Sequence, residues 1–185
     1  LRIPITELKK ISKKIKAKLA LDSTASIGLE PFHDLADVIS YSSCKGLFGL
    51  TGACFIAYNS NPQNKVHSFI LDINSHIEKK MTGPYHIIQS LEKILDKHKN
   101  FTHAVMINKK KFLKIFEDKL IYNIKNQPLI CTYVKCKISS KDKRVIFYKP
   151  RINLAGSVIC HLGEVHLGKF ATGQILNKIY IKKNI

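Results

Sequence analysis

The segment 45–58 connects the basic N-terminal part of the chain to an apolar run and reads Lys45-Gly46-Leu47-Phe48-Gly49-Leu50-Thr51-Gly52-Ala53-Cys54-Phe55-Ile56-Ala57-Tyr58. Its second half is an apolar run, which predicts the first strand of an α/β core. A turn-forming cluster at 59–64 leads into a second apolar run at 66–73, so we expect two strands joined by a short loop. The three glycines precede a strand and do not join a strand to a helix N-terminus, so we interpret them as a flexible connector rather than a phosphate cradle.

The residues before this stretch predict a small basic helical lobe. Apolar residues recur at spacings of three and four, which indicates an amphipathic helix over residues 1–20 that starts near Pro4. A second helix is expected from Glu30 through Ile39, and a third helical turn around 43–50. We therefore divide the chain into a helical lobe, residues 1–50, and an α+β core domain, residues 51–185.

The residues after this stretch mix the two periodicities. Apolar stripes predict helical segments at 75–81, 85–100 and 109–121, the last with Lys109 and its other lysines facing solvent. Period-two patterns predict a strand at 101–107, a β-hairpin of 129–138 and 144–149, and strands at 157–162, 165–170 and 174–181. The expected fold class is α+β: a small helical N-terminal lobe on a mixed α/β core with an antiparallel C-terminal β region.

Two segments of the first fifty residues resemble a known family. Leu8-Lys9-Lys10 through Lys18-Leu19, followed by residues 35–47, is similar to the small helical domain called glyoxalase-related, which is found in bacterial mobile-element proteins. That domain has a basic helix and then a helix ending in Gly-Tyr-Ser-Ser-Trp-x-x-Leu. Here Ser40 and Cys44 stand where glycine and tryptophan are usual. The resemblance covers residues 8–47 and implies a bacterial, DNA-associated context.

The charge balance is strongly positive. The 185 residues include 31 Lys+Arg and 13 Asp+Glu, giving a formal net charge of +18 spread along the whole chain. Such an excess attracts polyanions, so nucleic acid, DNA or RNA, is the expected partner. An anionic membrane surface or an acidic protein is the alternative partner. A third reading is a compositional bias toward Ile, Lys and Asn with no charge-driven partner.

Three basic segments would form the phosphate-contacting surface: the first helix, the helix at 109–121 and the hairpin at 141–151. The hairpin also carries two aromatic rings among its cations, an arrangement that stacks and holds single-stranded nucleic acid; the alternative is a sheet edge protected by lysines. The leading hypothesis is a basic, non-enzymatic nucleic-acid-binding protein, DNA-associated or part of a ribonucleoprotein, with modest sequence preference. The candidate contact residues are Lys9, Lys10, Lys13, Lys14, Lys110, Lys111, Lys114, Lys143, Arg144, Phe147, Tyr148, Lys149 and Arg151.

The alternative hypothesis is a cysteine-dependent hydrolase or deamidase. Cys54 is followed about fifty residues later by His103 on a predicted strand, which is the chain order of papain-like enzymes, where the imidazole takes the thiol proton. The group that orients the histidine would be Asp118, Glu117 or Asn123. The competing interpretation is a buried structural cysteine and an unrelated strand-end histidine, since thiol nucleophiles usually sit at a helix N-terminus.

Two further patterns do not predict a catalytic site or a metal site. Ser42-Ser43-Cys44-Lys45 matches the Ser-x-x-Lys pattern of penicillin-recognising enzymes, but a four-residue pattern arises by chance and the chain is too short for that fold. The spacings of the remaining cysteines and of two nearby histidines fit no tight zinc knuckle. We therefore predict no metal and no cofactor; the residues concerned are Cys131, Cys136, Cys160, His161 and His166.

The expected compartment is the cytoplasm. Five cysteines without regular spacing, and no recognisable signal peptide, favour a reducing environment with free thiols. The longest uncharged stretch, 46–64, ends in polar residues, so no transmembrane segment is expected.

Overall fold

The computed structural model describes residues 2–68, 70–79, 83–145, 147–148, 155–166 and 175–182. Within these ranges the α-helices and strands are, in chain order, α1 (Ile5–Lys14), β1 (Ala20–Asp22), β2 (Val38–Ser42), β3 (Cys54–Tyr58), α2 (Ile73–Lys79), α3 (Tyr85–Leu95), α4 (His98–Phe116), β4 (Cys131–Val134), β5 (Ile138–Ser140), β6 (Ser157–Cys160), α5 (Gly163–His166) and β7 (Ile179–Ile181). Short 3-10 helices lie at His33–Leu35, Glu117–Lys119, Ile124–Asn126 and Leu176–Lys178.

The strands form three small sheets. β1 runs parallel to β2, and β2 runs antiparallel to β3, so β2 is the central strand of the first sheet. β4 pairs with β6, and β5 pairs with β7, both antiparallel. The predicted α+β class with an antiparallel C-terminal region is confirmed. β3 lies beyond the predicted boundary at residue 50 and pairs with β2 before it; the division into two domains stays a prediction.

The N-terminal helix is confirmed, but it ends earlier than predicted. α1 begins directly after Pro4 and ends at Lys14, and Lys16 adopts a left-handed conformation with φ 54°. The Ser12 hydroxyl donates to the Ala17 carbonyl at 2.8 Å, which closes the end of the helix. The chain then turns toward β1, and Leu19 is buried just before that strand.

The predicted second helix is wrong. His33–Leu35 makes a single 3-10 turn, and the residues that follow form β2. Adjacent β-branched residues, Val38 and Ile39, suit a strand that has neighbours on both sides. The predicted strand at 53–58 is confirmed as β3, although it is the third strand of its sheet and not the first.

The predicted strand at 66–73 is also wrong over its described residues. The N–H groups of Leu71 and Asp72 donate to the Ser68 carbonyl at 3.1 and 2.9 Å, which makes a turn. Asp72 then accepts a hydrogen bond from the Ser75 hydroxyl at 2.7 Å in the first turn of α2. Local capping hydrogen bonds therefore decide this segment, against its apolar composition.

The predicted strand at 101–107 is wrong because these residues belong to one continuous helix, α4. Its buried positions recur at helical spacings, and they pack against β4, β6 and α5. The burial of this whole face outweighs the strand propensity of its first half. The buried residues of α4 are Ala104, Val105, Asn108, Lys109, Phe112 and Phe116.

No helix among the described residues is long and apolar enough to cross a bilayer.

The predicted C-terminal hairpin is wrong because its strands pair with distant partners. Cys131 lies opposite Cys160, and Ile138 lies opposite Ile181. The described residues of 144–149 form no strand. The strand predicted at 157–162 is confirmed as β6 and the end of 174–181 as β7. The start of the strand predicted at 165–170 is helical, in α5, and its residues 167–170 lie outside the described residues.

Candidate functional site

Two oppositely charged residues lie at one edge of the first sheet. Because β1 and β2 are parallel, their carboxyl ends meet at the same edge. Asp22 is the last residue of β1, and Lys45 follows the end of β2 by three positions. Both side chains are exposed. Ligands of α/β sheets bind outside the carboxyl ends of the strands, so this edge is the natural place for a site.

Asp22 is held as a carboxylate. Hydrogen bonding from the Thr24 side chain, and from the Thr24 N–H at 3.0 Å, lowers the pKa of Asp22, and the charge of Lys45 lowers it further. This charge effect agrees with the positions of Asp22 and Lys45 at the carboxyl ends of adjacent strands. The edge of the sheet therefore presents an anion and a primary amine to the same space.

The loop that carries Lys45 is tied by hydrogen bonds. Ser43 is fully buried, and its hydroxyl donates to the Leu50 carbonyl at 2.5 Å. The Gly49 N–H donates back to the Ser43 carbonyl at 2.8 Å, and the Leu50 N–H donates to the Ser90 hydroxyl on α3 at 3.0 Å. Bonds at both ends of the loop define the position of Lys45 between them.

The glycines of this loop are required by contacts, which corrects their interpretation as a flexible connector. A Cβ on Gly46 would lie 1.9 Å from the backbone oxygen of Ile27, and one on Gly49 would lie 2.6 Å from the Leu91 side chain. Gly52 has φ +124°, a conformation that side chains rarely allow. The loop is a close-packed element.

Helix α4 anchors the same loop. The Nε2 atom of His98 donates a hydrogen bond to the Gly46 carbonyl at 2.8 Å, directly after Lys45. Phe48 is buried, lies edge-on to the His98 ring at 5.3 Å and stacks on Phe101 at 5.2 Å. Phe48 also has φ 59°, and a bulky residue in this region is strained. The surrounding contacts hold this strained backbone in place.

The three residues of the predicted thiol-hydrolase site lie on separate elements. Cys54 begins β3 and is exposed, and its Sγ makes a hydrogen bond to the neighbouring Phe55 carbonyl. His103 is an exposed residue in the middle of α4, not on a strand. Asp118 lies in a 3-10 helix and pairs with Lys119. No hydrogen bond joins the three side chains in the part of the chain that the structure describes.

The predicted lysines of α1 divide into two groups. Lys9 pairs with Asp37 at 3.0 Å, and Lys10 pairs with Glu7 at 2.9 Å. Lys13 and Lys14 are exposed in the last turn. On α4 the lysines Lys110, Lys111 and Lys114 are exposed as well.

The described residues of the predicted aromatic and basic hairpin do not form strands that pair with each other. The Arg144 guanidinium makes two hydrogen bonds to Asp142, at 3.0 and 2.8 Å, and this pairing lowers the pKa of Asp142. Phe147 is half-buried and packs against the buried cluster that contains Phe112, Phe116 and Val134, whereas Tyr148 is 61% exposed. Lys143 is exposed, and Lys149 and Arg151 lie outside the described residues.

The cysteine and histidine residues near β4 and β6 differ in burial: His161 is buried, Cys131 and Cys136 are half-buried, and Cys160 is exposed. His161 is buried, its Nε2 hydrogen-bonds to the Thr132 hydroxyl at 2.8 Å, and burial, with a smaller effect of the Lys109 charge, lowers its pKa to about 3. It is therefore neutral at physiological pH. Across the described ranges, no group of three or more His, Cys, Asp or Glu residues is arranged to hold a metal ion.

Sequence reasoning missed two functional candidates, Asp22 and Lys45, and misplaced Lys109. Lys109 was expected to face solvent, but it is buried and its Nζ donates to the carbonyls of Gln127 and Pro128 at 3.1 and 2.8 Å. The signal for Asp22 and Lys45 is their position at the ends of two parallel strands, and it is visible only when residues 38–42 are read as a strand.

The comparisons with known proteins show a shared fold. No protein-family model matches the sequence, and no curated protein matches it significantly. Among solved structures, the crystal structure of alanine–glyoxylate aminotransferase from Nostoc sp. is similar, with a TM-score of 0.57 and 20% sequence identity over 75% of this chain. The matched part amounts to 42% of the Nostoc chain. At this identity the similarity concerns the fold.

Proposed function

We propose that this chain is part of an aminotransferase-like enzyme and that the Asp22–Lys45 edge of its first sheet binds pyridoxal phosphate. The observation that carries the proposal is that a carboxylate and a lysine amine lie at, or just beyond, the carboxyl ends of two parallel strands. The fold similarity to an aminotransferase supports it. The chain spans less than half of that protein, so the activity of a whole enzyme is part of the proposal.

The two side chains fit the chemistry of this cofactor. A lysine amine holds pyridoxal phosphate covalently at its carbonyl carbon, and an acidic residue pairs with its ring nitrogen. Lys45 is exposed on a loop whose backbone is anchored on both sides, so its amine is positioned and accessible. When bound, the cofactor supplies an electron sink for charge that develops on a substrate carbon.

Asp22 has the protonation state that this role requires. Its lowered pKa keeps it a carboxylate through the physiological range, and a carboxylate beside the ring nitrogen favours the protonated form of that nitrogen. Lys45, on the same edge, would be the group that accepts a proton from a bound substrate. This assignment replaces the expectation of a cofactor-free protein.

Covalent trapping tests the proposal. The purified protein is mixed with an equimolar amount of pyridoxal phosphate and reduced with borohydride, and the labelled lysine is identified by peptide mass spectrometry. We expect the label on Lys45 and its loss in Lys45→Arg, while Lys18→Arg, at another exposed lysine, keeps it. The Asp22→Asn variant should label more weakly. A label spread evenly over the exposed lysines would refute the site.

Nucleic-acid binding remains a second candidate function. The supporting observation is that Lys13, Lys14, Lys110 and Lys114 are exposed and form no ion pair within the described residues. Fluorescence anisotropy with a labelled oligonucleotide at increasing salt measures it. Six phosphate contacts would give a log–log slope of roughly −5, and a slope near zero would reject the idea.

We propose a reducing compartment such as the cytoplasm for the protein, in keeping with its five free cysteines.

A further inference from the structure

A cleft of about 560 Å³ lies between α4, the N-terminal segment and the 3-10 helix at Ile124–Asn126. This volume is within the range of pockets that hold small organic molecules. Its apolar wall includes Leu29, Met106 and Leu113. The cleft does not include Asp22 or Lys45, so it is separate from the proposed cofactor site.

Glu30 is an acidic residue in the lining of the cleft, and both of its carboxylate oxygens already have partners. One carboxylate oxygen of Glu30 pairs with the Arg2 guanidinium at 2.9 Å, and the other accepts the Leu129 N–H at 2.8 Å. The buried Lys109 amine lies near this pair and donates to two backbone carbonyls. Glu30 therefore adds little negative potential at the mouth of the cleft.

The mouth of the cleft is positive. Lys110 and Lys114 are one helical turn apart on the same face of α4, where like charges repel each other. Lys125, from the 3-10 helix at Ile124–Asn126, also lines the cleft, and Glu117 is the remaining acidic residue of the lining. Within the described residues none of these three lysines forms an ion pair. A bound anion would relieve the repulsion between them.

We propose that this cleft binds a small amphipathic anion, with its carboxylate at Lys110, Lys114 and Lys125 and its hydrocarbon tail along Leu29, Met106 and Leu113. An apolar wall beside unpaired cations is complementary to such a molecule, because the tail leaves water while the charge stays at the mouth. Nucleic acid fits less well, since none of the described lining residues is aromatic and no ring is available to stack a base.

Isothermal titration with decanoate tests the site in the full chain. We expect saturable binding of one decanoate per chain. Affinity should fall through octanoate to hexanoate, by roughly fourfold for each methylene lost, because each buried methylene contributes about 0.8 kcal/mol. The uncharged 1-decanol should bind more weakly than decanoate. An affinity that does not depend on chain length would overturn the proposal.

Charge variants locate the site. Lys110→Glu/Lys114→Glu should weaken decanoate binding by about tenfold or more, and the neutral Lys110→Gln/Lys114→Gln variant should show an intermediate loss. The matched control is Lys13→Glu/Lys14→Glu, which makes the same charge change on exposed lysines of α1 and should bind decanoate as the parent protein does. An equal loss in the α1 and α4 variants would indicate diffuse attraction by the net charge and overturn the site. Circular dichroism checks that the helices are intact in each variant.

Discussion

The first sheet and the α4 region of this chain are built in different ways. Around α4, the side chains of Val105, Phe112 and Val134 have at most 1% of their surface exposed. In the first sheet, β2 has a strand on each side, yet all five of its residues are only half-buried. The α4 region has its own core. The sheet that carries Asp22 and Lys45 has little burial of its own and is joined to α4 through the Lys45 loop.

This contrast separates stability from site geometry. Substitutions around α4 remove packed apolar surface and should act on the free energy of unfolding. Substitutions at the contacts between the Lys45 loop and α4 should act on the placement of Lys45. Variants of the two regions, and the pH dependence of stability, test this separation.

Phe112→Ala should lower the free energy of unfolding by about 3–5 kcal/mol, because it leaves a cavity in a packed core. Ile56→Ala, on β3, should cost below about 1 kcal/mol, since Ile56 is 48% exposed. Urea denaturation followed by circular dichroism measures both. Similar losses in the two variants would remove the contrast between the regions.

The stability of the α4 region should depend on pH through His161. Its pKa is about 3 in the folded protein and about 6.5 in the unfolded chain, so between these values the unfolded chain binds more protons. The stability is fully present above about pH 6.5 and falls as the pH falls toward 3, by up to about 1.4 kcal/mol per pH unit. Denaturation midpoints between pH 4.5 and 7 measure this slope.

His161→Gln should flatten that slope, and His103→Gln, at an exposed histidine of α4, should leave it unchanged. A slope that survives in His161→Gln would assign the pH dependence to the carboxylates.

Gly46→Ala should displace the Lys45 loop, because its Cβ would meet backbone that has no room to move. We expect a loss of about 1–3 kcal/mol in stability and weaker pyridoxal phosphate labelling of Lys45. Gly163→Ala is the control, since nothing lies within 4 Å of a Cβ at that position. If Gly46→Ala labels as well as the control, the loop does not define the position of Lys45.

His98→Ala should reduce labelling of Lys45 with a stability loss of about 1 kcal/mol, because it removes the hydrogen bond to the Gly46 carbonyl and the contact with Phe48. His86→Ala, at an exposed histidine of α3, provides the comparison. The ratio of labelling rates in the two variants is the measurement. A ratio of one would mean that α4 does not influence the loop.

Local patterns predict some of this structure correctly. The apolar run at 53–58 indicates a strand, and the spacing of apolar residues indicates α1 and α3; all three are present. The antiparallel C-terminal region is also predicted. For β3, α1 and α3 the signal lies within one short window, where periodicity reflects which face is buried.

The errors come from contacts between distant residues. The first half of α4 contains short apolar runs that suit a strand or a buried helix, and only its continuous packing against β4 and β6 decides for the helix. β4 and β5 pair with strands far along the chain, and no local turn in the sequence predicts these partners. The candidate site depends on the same kind of information, because only the parallel pairing of β1 with β2 brings Asp22 and Lys45 to the same edge of the sheet.

The outer edge of β1 determines where any further chain would meet this site. β1 is three residues long, it pairs with β2 on one side, and no strand of the described residues lies on its other side. A polypeptide that joined it there in parallel would finish its strand next to the Asp22 carboxylate. Its following loop would then lie beside the carboxyl ends of β1 and β2, and it would add side chains to the edge that we propose binds pyridoxal phosphate.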